Sequence, residues 1–173
     1  MIRSTEPPRG KVVAREDWYD YVARTDLPTI AVLQDIDGRQ GYGAYWGEVQ
    51  STIHKSLGAI GCVTNGSFRD LDMWAPGFQM IGGRVGPSHA HVHMVAFGTP
   101  VNIFGMQVGH DDVIHADFHG AVVISARMLV SWKVWIPQRN KFLPPVPWYI
   151  CTPLRALTAR WRVLTCGRPG ARF

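Results

Sequence analysis

Apolar residues fall in short runs along the chain, punctuated by glycine, proline and asparagine, and this rhythm predicts strands interleaved with two brief helices. Arg15 to Ala23 carries Trp18 and Val22 four apart and reads as a helix stopped by Pro28. Thr29 to Leu33 is a run of strand formers, followed by a Gly-rich loop over Gln34 to Gly43. Glu48 to Leu57 predicts a helix, with Val49, Ile53 and Leu57 as its apolar stripe and Gly58 as its stop signal. Ala59 to Thr64 is the next strand, closed by the turn pair Asn65-Gly66. Strand, loop, helix and strand in that order make a βαβ-like unit, which places a ligand at strand ends and a helix N-terminus.

The following half is β-rich. Phe78 to Ile81, Ala90 to Phe97 and Val101 to Phe104 are strand candidates, and Val113 to Asp117 with Ala121 to Ile124 reads as a hairpin turning at His119-Gly120. Residues 1–11, with Pro7, Pro8 and Gly10, read as a loose leader. After Ile124 the character changes: Trp132, Trp135, Trp148 and Trp161 are scattered among Pro137, Pro144, Pro145, Pro147 and Pro153. Lys141 to Tyr149 excludes regular helix, Leu154 to Leu164 suggests a short basic helix, and Gly167 to Phe173 an unstructured end. The expected organisation is therefore one domain over 12–124 and an irregular, disordered basic tail over 125–173.

Charge sharpens that division. Residues 125–173 hold nine basic residues and no acidic one, so the net charge of +5 leaves residues 1–124 at −4. Such a tail, with interleaved tryptophans, is a candidate nucleic-acid surface or a solvated appendage. A chain of 173 residues suffices for a sizeable single core. The N-terminal residues lack an apolar signal core and no apolar run is long enough to span a bilayer, so a cytoplasmic location without membrane partners is expected. Cys62, Cys151 and Cys166 have no metal-type spacing, and Cys62 reads as a buried small hydrophobe.

Two short stretches concentrate the candidate chemistry. Gly47-Glu48-Val49-Gln50 opens the second helix and offers unpaired backbone N–H groups at a positive dipole end. Arg69-Asp70 follows the turn at the next strand's end; arginine presents a planar fork to a carboxylate or enolate oxygen, and aspartate a hard oxygen to a divalent cation. That set suits a metal-chelated 2-oxo acid. The competing reading makes Arg69-Asp70 a surface ion pair or turn cap and Glu48 a complement to the helix dipole. Asp35 and Asp37 read first as loop residues satisfying turn amides and second as metal candidates. His89, His91 and His93 alternate and would share one strand face, a zinc site if His115 or His119 joined them, otherwise a polar strand side. His54 reads as a partly exposed polar residue.

The runs Gly43–Gly47-Glu48, Gly61 to Asp70 and Val113 to Val123 resemble the family of regulator of ribonuclease activity A and the 4-hydroxy-4-methyl-2-oxoglutarate aldolases, over about Trp18 to Ile124. The resemblance implies an α/β fold, a swivelling β/β/α domain assembled as homotrimers or hexamers. It also implies a lyase requiring magnesium or manganese, which cleaves 4-hydroxy-2-oxo acids to pyruvate or decarboxylates oxaloacetate. By this resemblance Asp70 holds the metal, Arg69 faces the pyruvyl oxygen, the amides of Gly47, Glu48, Val49 and Gln50 bind the 2-oxo acid, and Glu48 orients water. The chemistry agrees, since both reactions build charge on a pyruvate enolate that a cation and Arg69 would stabilise.

The chain departs from the family pattern in three places. Little precedes Trp18, His110-Asp111-Asp112 replaces a Pro-Gly-Asp turn, and Ser125 stands where a proline is usual, with no acidic residue after Asp117 to serve a neighbouring subunit. A truncated or frame-shifted coding sequence is the expected explanation. The alternative function is a non-catalytic oligomer that binds a ribonuclease or another partner.

Overall fold

The computed structural model describes residues 1–10, 12–24, 29–109, 112–117 and 119–124, and the backbone of 150–154 and 162–167. In chain order the elements are β1 (Ile2–Arg3), α1 (Arg15–Val22), β2 (Thr29–Leu33), β3 (Ala44–Trp46), α2 (Glu48–Ser56), β4 (Ala59–Thr64), β5 (Ser67–Phe68), β6 (Gln79–Ile81) and β7 (Arg84–Val85). They continue with β8 (His93–Met94), β9 (Val101–Ile103), β10 (Met106–Val108), β11 (Val113–Asp117), β12 (Gly120–Ile124), β13 (Ile150–Leu154) and β14 (Arg162–Gly167).

The βαβ unit is present. β2 runs parallel to β4, and β4 parallel to β6, with α2 in the crossover. Every residue of β2 is buried, because the strand is covered on both faces. Ala31 and Leu33 join Trp18, Val22, Trp46, Cys62 and Phe78 on one side, while Ile30 and Val32 join Val63, Val101, Ile103, Val108 and Ile114 on the other. The period of two along the strand thus divides the core into two layers. Cys62 is buried there, as its apolar surroundings suggested.

The unit also holds a strand that periodicity did not reveal. Ala44–Trp46 leaves the Gly-rich loop as β3 and starts a second parallel sheet in the order β3-β5-β7. The loop before it is fixed by buried polar groups. Asn65 accepts from the Asp35 amide at 2.7 Å and donates to the Asp35 carbonyl at 2.9 Å, tying the exits of β2 and β4 together.

Several expectations are corrected. Residues 1–3 are not a loose leader: Ile2 is buried and Ile2–Arg3 pairs antiparallel with His93–Met94. Helix α1 ends at Val22, and Pro28 lies outside the described residues. Residues 90–97 form a strand only at His93–Met94, because Ala90 takes a left-handed turn at φ 49°. The stripe expected inside α2 is not its buried face: Val49 is 59% exposed, whereas Ser51 and His54 are buried. The hairpin of β11 and β12 is antiparallel as read. Within the basic stretch, β14 pairs in parallel with β11 and antiparallel with β13, so residues 162–164 are strand rather than helix and 162–167 are not irregular. Arg162-Val-Leu-Thr-Cys is rich in strand formers, which outweighs the helical spacing. The rest of 125–173 lies outside the described residues.

Parallel pairing at Gly61 leaves no room for a side chain, since a Cβ there would lie 2.4 Å from the Gln79 carbonyl oxygen of β6. Gly61→Ala should cost about 1–3 kcal/mol in urea denaturation. Gly38→Ala, where a Cβ meets nothing within 4 Å, should change stability by less than about 1 kcal/mol.

Candidate functional site

The register of β3 and β5 builds the site. Ala44 pairs with Ser67 and Trp46 with Phe68, and the Arg69 amide extends the ladder by donating to the Trp46 carbonyl at 3.0 Å. The residues that follow the two strands, Gly47-Glu48 and Arg69-Asp70, are therefore neighbours in space. The Glu48 N–H donates to Asp70 Oδ2 at 3.2 Å across a separation of 22 residues.

Gly47 is the N-cap of α2 with extended backbone that any residue adopts. Its lack of a side chain matters for space: a Cβ would lie 2.5 Å from Asp70 Oδ2 and 3.1 Å from Arg69 Cγ. The Asp70 carboxylate thus reaches back over the helix start and caps it from the turn that follows β5. Asp70 itself sits at φ 56°, a left-handed conformation that aspartate tolerates better than most residues, and its carbonyl accepts from the Met73 amide at 3.0 Å.

Arg69 is held from three sides. Its Nη1 donates to the Ala44 carbonyl at 2.6 Å, its Nε lies 3.4 Å from Asp70 Oδ2, and its carbonyl accepts from the Trp74 indole at 2.7 Å. Neither the Ala44 carbonyl nor Trp74 emerged from sequence, because a backbone acceptor leaves no residue-type signal. The Arg69 and Asp70 side chains are 24% and 36% exposed, enough for solvent and a small ligand to reach them.

The structure thus brings Gly47, Glu48, Arg69 and Asp70 together. It narrows the set of free amides, since the Glu48 N–H is occupied by Asp70. The Val49 and Gln50 amides have no intrahelical partner, and the Ser51 amide closes the first turn on the Gly47 carbonyl at 2.9 Å. The Gln50 side chain is turned away to the Tyr19 hydroxyl at 3.2 Å, leaving its backbone for a ligand. Glu48 is exposed at the first helical position. What converges is a positive helix end, a fixed guanidinium and one carboxylate, which can hold a small anion beside a hard cation.

The other candidates stand apart. Asp35 and Asp37 do serve amides: Asp35 accepts from Asp37 and Gly41, and Asp37 from Ser4 and Thr5. Burial pushes the Asp35 carboxyl up despite those amides. Burial also acts to raise Asp37, but the hydrogen bonds from Ser4 and Thr5 outweigh it and hold that carboxyl below its usual range. His89, His91 and His93 do not share a strand face, since only His93 lies in a strand. Among the described residues no group of three His, Cys, Asp or Glu is placed to hold a metal ion. His54 is fully buried rather than partly exposed, enclosed by aromatic rings. The basic stretch considered for nucleic acid is described only by the backbone of β13 and β14.

A family model for RraA-like proteins, Aldolase/RraA, matches residues 12–123. The chain belongs to the RraA-like family. That family contains aldolase and decarboxylase enzymes as well as non-catalytic ribonuclease inhibitors, and its members are typically oligomeric. Among solved structures the RraA-like chain is similar to Streptomyces coelicolor RraAS2, an unusual member of the RNase ES inhibitor RraA protein family, at 21% identity and TM-score 0.60 over 82% of this chain and 72% of that one. An uncharacterized protein from Pseudomonas syringae pv. tomato str. DC3000 matches at 18% identity and TM-score 0.54, over 81% of this chain and 62% of that one. A third, described among novel cellulases from microbes associated with the gut ecosystem, matches at 14% identity and TM-score 0.56, over 82% of this chain and 66% of that one. These likenesses show the RraA-like α/β fold, and the chain spans 62% of the Pseudomonas protein, less than two thirds of its length. No curated protein matches it. No helix among the described residues is long and apolar enough to cross a membrane.

Because Asp70 caps α2 from a distance, Asp70→Ala should destabilise the fold by about 1 kcal/mol in urea denaturation, with Asp70→Asn losing less.

Proposed function

We propose that this RraA-like protein is a divalent-metal-dependent lyase acting on 2-oxo acids, cleaving 4-hydroxy-4-methyl-2-oxoglutarate-type substrates and decarboxylating oxaloacetate to give pyruvate. The observation that carries the reading is the convergence of Gly47, Arg69 and Asp70, packed so closely that a Cβ on Gly47 would collide with the Asp70 carboxylate. An arrangement that gathers a helix cap, a left-handed aspartate and a fixed arginine at one point is suited to a ligand there.

The residues fit a hard cation. Asp70 Oδ2 is engaged by Glu48 and Arg69, while Oδ1 has no hydrogen bond among the described residues. A single carboxylate oxygen completed by waters and a chelating substrate is a coordination mode magnesium or manganese accepts. When bound there, the cation would supply positive charge to offset what develops on the 2-oxo oxygen.

The protein's own groups would do the rest. The Val49 and Gln50 amides, backed by the dipole of α2, would hold the substrate's 1-carboxylate. Arg69, anchored by the Ala44 carbonyl through Nη1, would direct its remaining donors at the 2-oxo oxygen. In retro-aldol cleavage the C3–C4 bond breaks, its electron pair moves towards the 2-oxo oxygen, and the 4-hydroxyl proton leaves. Glu48 would hold the water that takes that proton. In decarboxylation the C3–C4 bond breaks as carbon dioxide departs and its electron pair takes the same course, and in both reactions a proton added at C3 of the resulting enolate would give pyruvate. The proposed assembly is a homotrimer or hexamer, in keeping with the family's oligomeric habit.

The second reading is a non-catalytic oligomer that binds a ribonuclease or other partner. It is favoured by the absence of any acidic residue after Asp117.

Pyruvate release from oxaloacetate and from 4-hydroxy-4-methyl-2-oxoglutarate, measured with magnesium and then with EDTA on a size-defined oligomer, separates the two. The lyase reading expects metal-dependent turnover, abolished by EDTA and lowered at least about 100-fold in Arg69→Ala with the fold intact. Equal turnover in Arg69→Ala would sink the assignment, and no turnover from a folded oligomer would leave the binding reading.

A further inference from the structure

His54 is the one fully buried histidine among the described residues, and the proposed chemistry does not use it. It projects from α2 into a box of four rings: Trp18 and Tyr19 from α1, each 5.8 Å away between centroids, Tyr45 at 6.2 Å and Trp46 at 4.6 Å from β3. Both ring nitrogens are engaged. Nδ1 lies 2.8 Å from the Gln50 carbonyl of its own helix, which can only accept, so Nδ1 carries the proton. Nε2 lies 2.9 Å from the Trp18 indole N–H, which can only donate, so Nε2 must be the bare acceptor. The two bonds together fix one neutral tautomer.

From this we infer that His54 and Trp18 form an acid-sensitive latch that holds α1 on α2. A second proton on the ring must go to Nε2, where it would point at the indole N–H and set donor against donor. The buried cation would gain no counter-charge. Among the described residues the rings around it bring the Tyr19 and Tyr45 phenols, the Cys62 thiol and the Arg15 guanidinium act on Tyr45 rather than on His54, and Lys55 next in the helix donates to the Pro76 carbonyl, so none of these groups is a carboxylate. Parting α1 from α2 relieves both conflicts, by freeing the indole and letting water reach the ring. α1 also carries Tyr19, the partner of the Gln50 side chain, so the latch bears on the first turn of α2 that begins the candidate site.

The direction with pH follows. Burial depresses the latched imidazole to about 4 from an ordinary 6.5. The latched state therefore binds fewer protons than the open state between those values, and closure is complete above about 6.5 and weakens as pH falls towards 4. At pH 5 the opening equilibrium should be about twentyfold larger than at pH 7.

Hydrogen exchange by mass spectrometry on the whole chain, corrected for the intrinsic pH dependence of exchange, tests this without any reference to activity. Peptides covering Arg15–Val22 should lose about twentyfold protection between pH 7 and pH 5, while peptides covering β2 and β4 keep theirs. In His54→Gln, whose carboxamide oxygen can accept from Trp18 but cannot titrate, α1 should stay protected across that range. Should His54→Gln fail to fold, the wild-type imidazole resonances followed by NMR decide: His54 should titrate well below the exposed histidines, together with α1 opening. Unchanged α1 protection in the wild type, simultaneous opening of α1 and the β2–β4 core, or the same loss in His54→Gln would each overturn the latch.

Discussion

The parallel pairing of β3 with β5 is the constraint on which the site depends. Each strand is short, and neither would be stable alone. Their register puts Trp46 opposite Phe68, and the Arg69 amide then closes on the Trp46 carbonyl at 3.0 Å. Everything after that point is forced into contact: the helix that begins at Gly47 and the turn that begins at Arg69 leave the same edge of the same ladder. A slip of one residue would carry Arg69 to the opposite face and separate Asp70 from the Glu48 amide.

What holds this register lies deeper. The β2–β4 pair supplies a strand pair buried on both faces, and Asn65 clamps its exit to Asp35 through two hydrogen bonds. Asp35 in turn receives the Asp37 and Gly41 amides and so shapes the loop that delivers β3. A buried carboxylate is costly unless its oxygens are satisfied, and here both oxygens accept backbone donors. Charge buried in a loop thereby sets the geometry of a site one strand away.

The sequence made the larger elements legible for a physical reason. β2, β4 and the β11–β12 hairpin are continuous apolar or alternating runs whose pattern survives any tertiary context, and Trp18 with Val22 marked the buried face of α1. The stripe of Val49, Ile53 and Leu57 misled, because α2 turns Ser51 and His54 inward. There the partners decide: the Ser51 hydroxyl accepts from the Ala75 amide at 3.0 Å, and His54 is satisfied by an indole and a carbonyl. Polar residues that find every partner bury as readily as apolar ones, and no period in the sequence announces them. β3 escaped because three residues between glycines carry no periodicity, and the alternating histidines failed because a left-handed Ala90 ends the strand their spacing suggests.

The candidate site was legible as chemistry and not as geometry. Residue types at Gly47-Glu48 and Arg69-Asp70 suggested a place for an anion and a cation, yet whether those residues meet depends on distances that only the fold supplies. Gly47 shows the difference. Its backbone is extended and would accept any residue, so the usual argument for glycine from dihedral freedom does not apply. The demand comes from the turn after β5, where the Asp70 carboxylate lies in the volume a Cβ would fill and would have to shift to admit one. Asp70 completes the argument from the other side, since it holds a left-handed conformation to place that carboxylate. One local rule, the handedness of Asp70, is thus bent and one steric demand is placed on Gly47, and together they bring a carboxylate, a guanidinium and a helix start to one point.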